Sequence, residues 1–265
     1  MQGLSIVGRW RLRFGALALA VPAALALLGA APTRAETPEQ LAAGLSTNDA
    51  ALRQAISTWR EAAGDPTAGQ APAEVMEPSL YLQRKVRRLA AKPKLATATF
   101  ALLPGAVRSD TRALVNAAVK LRRLHAGGKR RKLKVGKPEP LASLVSHYEK
   151  AERSHRVGTE YLAAVNLVET KFGRVKSNST AGAKGPMQFI PGTWKIYGRG
   201  WDIRDPHDAI QAAARLLSDR GAPRRYGRAL YAYNQSKLYV KAVTIYAKLI
   251  ARDRDALPIL YCWGL

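Results

Sequence analysis

The stretch TEYLAAVNLVETKFG, Thr159–Gly173, predicts a helix that carries one acid where an apolar residue is expected. At about 3.6 residues per turn, Leu162, Val165 and Phe172 lie on one face, which should pack against a core. Glu169 belongs to the same series, seven residues after Leu162. Its carboxyl therefore lies at the edge of the buried stripe. The spacing alone favours a structural acid, either paired with Lys or Arg or exposed at the end of the helix.

A second interpretation gives this acid a chemical role. Burial disfavours the charged form of a carboxyl, so Glu169 in a dry site would keep a proton to donate near neutral pH, as glycosidase acids do. No acid occurs between Glu169 and Asp202, and the interval holds STAGAKGPMQFIPGTW, which is dense in glycine, hydroxyls and one amide. Small residues let a backbone come close to a bulky ligand. This composition favours a cleft for a neutral sugar strand, with a plain Gly-rich loop as the alternative.

Helix signals recur on both sides of this stretch, and no strand of normal length is predicted. LASLVSHYEKAERSH precedes it, and a short helix beginning at Pro191 follows it. DPHDAIQAAARLLSDRG has Asp205 as its N-cap, and SKLYVKAVTIYAKLIA has Ser236 in the same position. RRYGRALYAYN lies between the two, and we assign Trp194 to the core. The C-terminal half is therefore predicted to be a compact helical domain.

Residues 36–126 are also predicted to be helical, but they carry no motif with an identifiable chemistry. TPEQLAAGL and NDAALRQAISTW show apolar residues at helical spacing, whereas GDPTAGQAPAE is typical of a loop. SDTRALVNAAVKLRRL has a predicted cap at Ser109 or Asp110 and places Leu114 and Ala117 on one face.

The first 35 residues have the pattern of an export signal. Arg9, Arg11 and Arg13 precede an apolar run at 14–31, and the small-residue site TRA follows at 33–35. A membrane anchor is the alternative, because the run is almost long enough to span a bilayer. Pro22 inside the run and the small residues at its end favour cleavage, and no cysteine follows that could carry a lipid. We therefore expect residues 1–35 to be a signal peptide and the protein to be exported to the periplasm, the cell wall or the medium.

The net charge of the chain is strongly positive, at +24. Its first 35 residues hold four arginines and no acid, so the rest of the chain keeps +20. That charge is spread over both parts, with +11 for residues 36–138 and +9 for residues 139–265. An exported protein of this kind concentrates on polyanions, which include cell-wall polymers, anionic lipid and extracellular nucleic acid.

GGKRRKLKVGKPEP, at 127–140, contains six Lys or Arg and no acid before Glu139. We interpret residues 127–138 as a basic linker between two domains. It serves either as an electrostatic tether to an anionic polymer or as a solvated hinge, and the sequence favours neither. Nucleic acid is not expected as a partner, because no aromatic residue is interleaved with the charges for base stacking.

The numbers and spacing of the cysteine and histidine residues argue against a disulfide and a metal site. Cys262 is the only cysteine, so no intrachain disulfide can form, and we expect an inert thiol. The four histidines have no partners at metal-ligand spacing. We therefore expect no metal and no cofactor. The sequence leaves the oligomeric state open.

Four motifs in order, LAAVNLVETKFG, STAGAKGPMQFIPGTW, DPHDAI and LYAYNQSKLYV, resemble those of the lytic transglycosylases of the lysozyme-like superfamily. The chain is most similar to the membrane-bound type B and its soluble and actinobacterial relatives. The resemblance covers about residues 139–252, leaves 253–265 as a C-terminal tail, and says nothing about 36–138. It implies a mainly α protein, in which a lysozyme-like, SLT-type helical catalytic domain follows a helical N-terminal region. That region is then a partner platform, a wall-binding module or an inhibitory cover.

The resemblance also implies site residues. Glu169 matches the only catalytic acid of the family, and Ser179 matches a serine near the N-acetyl group of the reacting sugar. The remaining matches are expected to line or bind the glycan: Met187, Gln188, Tyr233, Asn234 and Tyr239. Some type B members carry an acidic loop that can hold calcium, but the corresponding span here is YGRGWDIR, with one acid. A calcium site is therefore not expected.

By this resemblance, the protein cleaves the β-1,4 bond between N-acetylmuramic acid and N-acetylglucosamine without water and leaves a 1,6-anhydro ring. Peptidoglycan strands are its expected partner, and the basic surface and linker add anionic wall polymers. Two alternatives stay open. A lysozyme-type muramidase would need Asp202, Asp205 or Asp208 in the cleft as a second carboxyl. A non-catalytic peptidoglycan-binding protein would hold the strand without cutting it.

Overall fold

A computed structural model describes residues 36–63, 71–127 and 132–264. The predicted signal peptide at 1–35 lies outside these residues. The described residues form eleven α-helices and no sheet, with isolated β-bridges only, which confirms the mainly α class. The helices are α1 Pro38–Ala63, α2 Ala73–Ala91, α3 Pro93–Leu102, α4 Gly105–Leu124, α5 Leu141–His155, α6 Thr159–Thr170, α7 Pro191–Tyr197, α8 Pro206–Asp219, α9 Tyr226–Tyr233, α10 Lys237–Arg252 and α11 Ala256–Tyr261.

The helix α6 is the centre of the C-terminal half. Residues 162–167 are buried on every side, and the helix packs against α5, α8, α10 and α11. A helix that is apolar all round is expected to be buried in this way. Only near its C-terminal end, at Val168 and Glu169, do side chains of the buried segment become partly exposed. The predicted position of the acid at the edge of the apolar surface is thus observed.

The caps that the sequence predicted for two later helices are confirmed. The Asp205 carboxylate accepts the backbone N–H of Asp208 at the start of α8, and the Ser236 hydroxyl accepts those of Leu238 and Tyr239 at the start of α10. Trp194, on α7, is partly buried and packs against the hydrophobic core as assigned.

The helix α4 begins earlier than expected. It starts at Gly105, directly after Pro104, so the predicted cap at Ser109 or Asp110 is wrong. Asp110 instead forms ion pairs with Arg53 and Arg252. The proline decides this boundary because it disfavours helical geometry in the residue before it but not in those after it.

Residues 36–265 form one compact unit. The most extensive helix contact in it joins α4 to α10, and α10 packs on its other side against α6. The N-terminal helices therefore share a core with the C-terminal half, while the predicted division at 126 and 139 stays a prediction.

The described part of the basic linker is bound to the loop after α6. The Lys176 N–H donates to the Lys134 carbonyl at 2.9 Å, and the Gly136 N–H donates to the Arg174 carbonyl at 2.9 Å. The Lys134 N–H also donates to the Ser177 hydroxyl at 2.7 Å. Neither a tether nor a hinge predicts this pairing. Over the described residues, no helix combines the length and the hydropathy that crossing a bilayer requires.

Candidate active site

The site is built at the end of α6, where the chain reverses through an unusual turn. Lys171, Phe172 and Gly173 all have positive φ, at 55°, 59° and 79°. A left-handed conformation costs about 1–2 kcal/mol for a residue with a Cβ. Contacts of Thr170 hold the turn: its hydroxyl donates to the Pro186 carbonyl at 2.6 Å and accepts the Gly173 N–H at 2.9 Å. The turn therefore joins the end of α6 to the loop that carries the second motif.

The Glu169 carboxyl has one hydrogen-bond partner and no counter-ion within the described residues. The Tyr239 hydroxyl donates to Glu169 Oε1 at 2.7 Å. No Lys or Arg of the described chain lies within ion-pair distance of the carboxyl. Desolvation by the surrounding protein raises the pKa of Glu169 to about 7, and the hydrogen bond from Tyr239 opposes part of that rise. The residue keeps part of its surface exposed, so a proton on the carboxyl stays within reach of a ligand.

Two tyrosines connect this acid to the second motif. The rings of Tyr233 and Tyr239 are parallel within 3°, with centroids 6.4 Å apart. Tyr233 donates its O–H to the Met187 carbonyl at 2.6 Å. Burial raises the pKa of both phenols well above its ordinary value, and the nearby Glu169 charge raises it further. Both therefore act as neutral hydrogen-bond donors.

The second motif folds back on itself in a tight loop. An antiparallel bridge pairs Lys184 with Phe189, and between them Gly185 and Gln188 have φ of 74° and 49°. A side chain at Gly185 would collide with the Ile203 carbonyl, so this close approach requires glycine. The Gln188 side chain donates to the Gly185 carbonyl at 2.9 Å and remains partly exposed.

Met187 differs from its expected position. Its side chain is fully buried in the core, and its carbonyl is the acceptor of the Tyr233 hydroxyl. An exposed lining role for this side chain is therefore not visible, although a role for its backbone in shaping the cleft stays a prediction.

The other two predicted residues, Ser179 and Asn234, lie at a turn and at the end of a helix. The Ser179 hydroxyl accepts the Ala183 N–H at 2.9 Å and closes the turn at 179–183. Asn234 ends α9 in an extended conformation, is partly buried and follows Tyr233 directly. Among the described contacts, neither residue hydrogen-bonds to the Glu169 carboxyl. Glu169, Tyr239, Tyr233 and Met187 thus form one connected series of contacts. Gln188 and Asn234 directly follow two of its members in the sequence, and Ser179 lies in the loop before Met187.

Sequence reasoning missed two positioning residues. One is Thr170, whose hydroxyl joins the two motifs. The other is Asn166, a fully buried amide on α6 that donates to the Tyr148 hydroxyl at 2.9 Å. A signal for Asn166 was present, since it is the single polar residue in the run LAAVNLV. Buried polar side chains in such a run need a partner and hold one packing arrangement.

Within the part of the chain that the structure describes, one group of potential metal ligands is found, at the start of α8. Asp205, His207 and Asp208 each offer a ligand atom within 4.8 Å of the others. Both carboxylates already act at the helix start, because Asp205 accepts the Asp208 N–H and Asp208 accepts the Asp202 N–H at 3.0 Å. The proximity of the three is explained by capping. Asp205 and Asp208, two of the three candidates for the second carboxyl of a muramidase, thus have a structural role at this helix start. The third candidate, Asp202, accepts the Arg204 N–H.

Comparison with known proteins gives one match, which lies in the C-terminal half of the chain. Residues 146–248 match the family model of the transglycosylase SLT domain. No curated protein and no solved structure matches the chain. The matched range contains α6, the turn after it, and every residue of the candidate site. The similarity to type B members in particular stays a prediction.

Proposed function

With a transglycosylase SLT domain of the lysozyme-like superfamily as the premise, we propose that this protein is a peptidoglycan lytic transglycosylase with Glu169 as its single acid and base. The supporting observation is the carboxyl itself. It lies near the C-terminal end of a buried helix and is partly exposed. Its partner is a tyrosine, no cation of the described residues pairs with it, and its pKa is raised to about 7. A general acid is most useful when its pKa lies near the working pH.

In the first step, Glu169 gives its proton to the oxygen of the glycosidic bond between N-acetylmuramic acid and N-acetylglucosamine. The bond from that oxygen to C1 breaks, and the N-acetylglucosamine part leaves as an alcohol. The acetamido oxygen of the muramic acid attacks C1 and takes up the positive charge as an oxazolinium ion. The substrate thereby supplies the group that a second enzyme carboxylate supplies in ordinary glycosidases.

In the second step, the Glu169 carboxylate removes the proton of the C6 hydroxyl on the same sugar. The C6 oxygen attacks C1, the bond to the acetamido oxygen breaks, and a 1,6-anhydro ring closes. Glu169 ends the cycle protonated, and no water is consumed. The attack is intramolecular, so it has the advantage of proximity without an added nucleophile. The Tyr239 hydroxyl stabilises the carboxylate between the two steps.

The remaining site residues hold the strand in this proposal. Ser179 lies near the N-acetyl group, and Gln188 and Asn234 supply neutral hydrogen bonds to sugar hydroxyls. Tyr233 offers a ring that packs against the CH face of a sugar. Met187 shapes the cleft through its backbone. All of these groups are uncharged, which suits a glycan strand.

Export and attraction to the wall complete the proposal. Residues 1–35 direct the chain out of the cytoplasm. The net charge of +20 on the rest then holds it near anionic wall polymers. This attraction weakens at high ionic strength because salt screens it.

The test is product analysis on purified peptidoglycan by mass spectrometry. We expect muropeptides with 1,6-anhydro ends from the parent protein and none from Glu169→Gln. Products with reducing ends, which are heavier by one water, would show a hydrolase instead. Binding to sacculi without any release of muropeptides would show a binding protein. Anhydro products from Glu169→Gln would refute the role of this residue.

A further inference from the structure

A cavity lies next to the candidate active site. It has a volume of about 250 Å³ and is lined by the linker, the turn after α6, the second motif and the segment before α8. Gly173 and Pro186 form part of its wall, while Glu169 and Tyr239 are not among its lining residues. Thr170, the neighbour of Glu169, bonds to the Pro186 carbonyl, so the wall of the cavity at Pro186 is joined to the end of α6. The cavity is therefore separate from the acid but built from the same two loops.

Three cations line this cavity against one acid. Lys137 comes from the linker, Lys176 from the loop after α6 and Arg204 from the segment before α8. Glu139 is the acid. Within the described residues, none of the three cations has a carboxylate within ion-pair distance. Elsewhere in the chain, cations such as Arg53 and Arg60 are paired with acids. All three cations are exposed, and the lining of the cavity carries more positive than negative charge.

The position of Lys176 is set by two glycines. A side chain at Gly136 would meet the Lys176 stem at 2.9 Å, and a side chain at Gly173 would begin 4.0 Å from its Nζ. The lysine stem therefore lies over Gly136 and directs its ammonium toward the cavity wall at Gly173. The backbone of Lys176 is fixed as well, because its N–H is bound to the linker carbonyl of Lys134.

We propose that this cavity binds a carboxylate of the peptide stem that projects from the glycan strand. The inference rests on the proposed function, because it takes its ligand from that substrate. The stem is attached to the muramic acid beside the bond that is cleaved. Its carboxylates are therefore expected close to Glu169 and the turn that follows α6. Three separate cations around a small cavity suit such a group, since charge-assisted hydrogen bonds are the stronger ones. The linker residue Lys137 then contributes to recognition of the substrate.

The binding test uses the synthetic tripeptide L-alanyl-γ-D-glutamyl-diaminopimelic acid and its fully amidated analogue. In calorimetry with the full chain, we expect the free acid to bind and the amidated analogue not to bind. The double variant Lys176→Gln/Arg204→Gln should weaken binding of the free acid by about tenfold or more, as expected for lost charge-assisted bonds. The control Arg84→Gln/Lys94→Gln removes the same charge from exposed positions on α2 and α3 and should bind like the parent. An equal loss of affinity in both double variants would show that net charge alone explains the effect, and it would overturn the proposal.

The kinetic test compares intact peptidoglycan with strands from which an amidase has removed the stems. We expect the double variant Lys176→Gln/Arg204→Gln to lower kcat/KM about tenfold on intact peptidoglycan. On strands without stems, its kcat/KM should equal that of the parent. A loss on both substrates would show a role in the glycan cleft or the fold, and it would contradict the proposal. Loss of binding to poly(glycerol phosphate) with unchanged kinetics on intact strands would assign the cavity to a phosphate polymer instead. Absence of anhydro products from the parent refutes the proposed function but leaves the calorimetric result readable.

Discussion

At the scale of single residues, the pair Glu169 and Tyr239 suits one carboxyl to both steps of the proposed mechanism. A protonated acid is needed first, and desolvation provides it by raising the pKa of Glu169 to about 7. A stable carboxylate is needed next, and the Tyr239 hydroxyl supports it at 2.7 Å. Burial raises the pKa of Glu169 and the hydrogen bond from Tyr239 lowers it. In the proposed mechanism, the balance of these two effects sets the pH at which the carboxyl can serve in both steps.

Removing the tyrosine hydroxyl should displace that balance. In Tyr239→Phe the carboxylate loses its donor, so the pKa of Glu169 rises further and the decline of kcat/KM at alkaline pH moves to higher pH. The second step needs the carboxylate, so we expect the rate to fall by about 10- to 100-fold. The measurement is a pH profile of muropeptide release. Tyr231→Phe, at an exposed tyrosine on α9, is the matched control and should leave the profile unchanged. An unshifted profile in Tyr239→Phe would contradict this role.

The same carboxyl should lower the stability of the folded protein at alkaline pH. Its pKa in the fold, about 7, lies above its ordinary value of 4.5, so the folded state holds a proton that the unfolded state releases. Stability then falls as the pH rises from about 4.5 to 7. Glu169→Gln resembles the neutral acid, and it should be more stable than the parent above this range by on the order of 3 kcal/mol. Thermal unfolding measured from pH 4 to pH 8 tests this, and a gain of equal size at both ends would exclude a link to this proton.

The sequence could place Glu169 but not its partner. Helical periodicity puts the acid at the edge of the buried face because neighbours on one helix are fixed by geometry. Tyr239 lies 70 residues away along the chain, on a different helix. No local rule gives that contact, and only the resemblance pointed to this tyrosine. Met187 illustrates the reverse case, since a motif match did not show that its side chain is buried.

At the scale of elements, the turn after α6 decides where the acid is held. Three consecutive residues with positive φ end the helix at Thr170 and direct the chain toward Pro186. The sequence predicted the end of the helix from Gly173, as glycine commonly occupies the left-handed position that follows a helix. It could not predict that Lys171 and Phe172 share that conformation, because residues with a Cβ adopt it only when tertiary contacts impose it.

Substituting the glycine of this turn should separate stability from activity. Gly173→Ala keeps φ near 79° at a cost of about 1 kcal/mol, and its nearest neighbour would lie 3.8 Å away, so no collision adds to the cost. Gly200→Ala is a matched control, with φ of 81° and open space around it. We expect similar losses in unfolding free energy for both variants, and a loss of activity for Gly173→Ala alone. The backbone strain at residue 173 falls on the turn whose N–H is bound to Thr170, the neighbour of Glu169, whereas the strain at residue 200 does not. Equal activity would mean that the turn does not position Glu169.

At the scale of the whole molecule, the N-terminal helices are part of one folded unit with the half that contains the SLT domain match. Arg53 on α1 pairs with Asp253 at 2.7 Å and with Asp255 at 3.2 Å, and Arg60 pairs with Asp255 at 2.5 Å. The aspartates lie between α10 and α11, so these pairs join the two ends of the described chain. The sequence did not predict them, because its charge pattern shows a surplus of cations without showing which ones meet an acid.

This arrangement decides what a truncated protein should do. In residues 139–265 alone, the face of α10 that packs on α4 loses its cover, and Asp253 and Asp255 lose Arg53. Exposure of apolar helix surface and loss of half-buried pairs both lower stability. We expect residues 36–265 to unfold in one cooperative transition and residues 139–265 to aggregate or to melt without one. Circular dichroism and calorimetry of the two chains measure this. A cooperative transition and full release of muropeptides by residues 139–265 would show instead that the N-terminal region is a separate domain, as the basic linker first indicated.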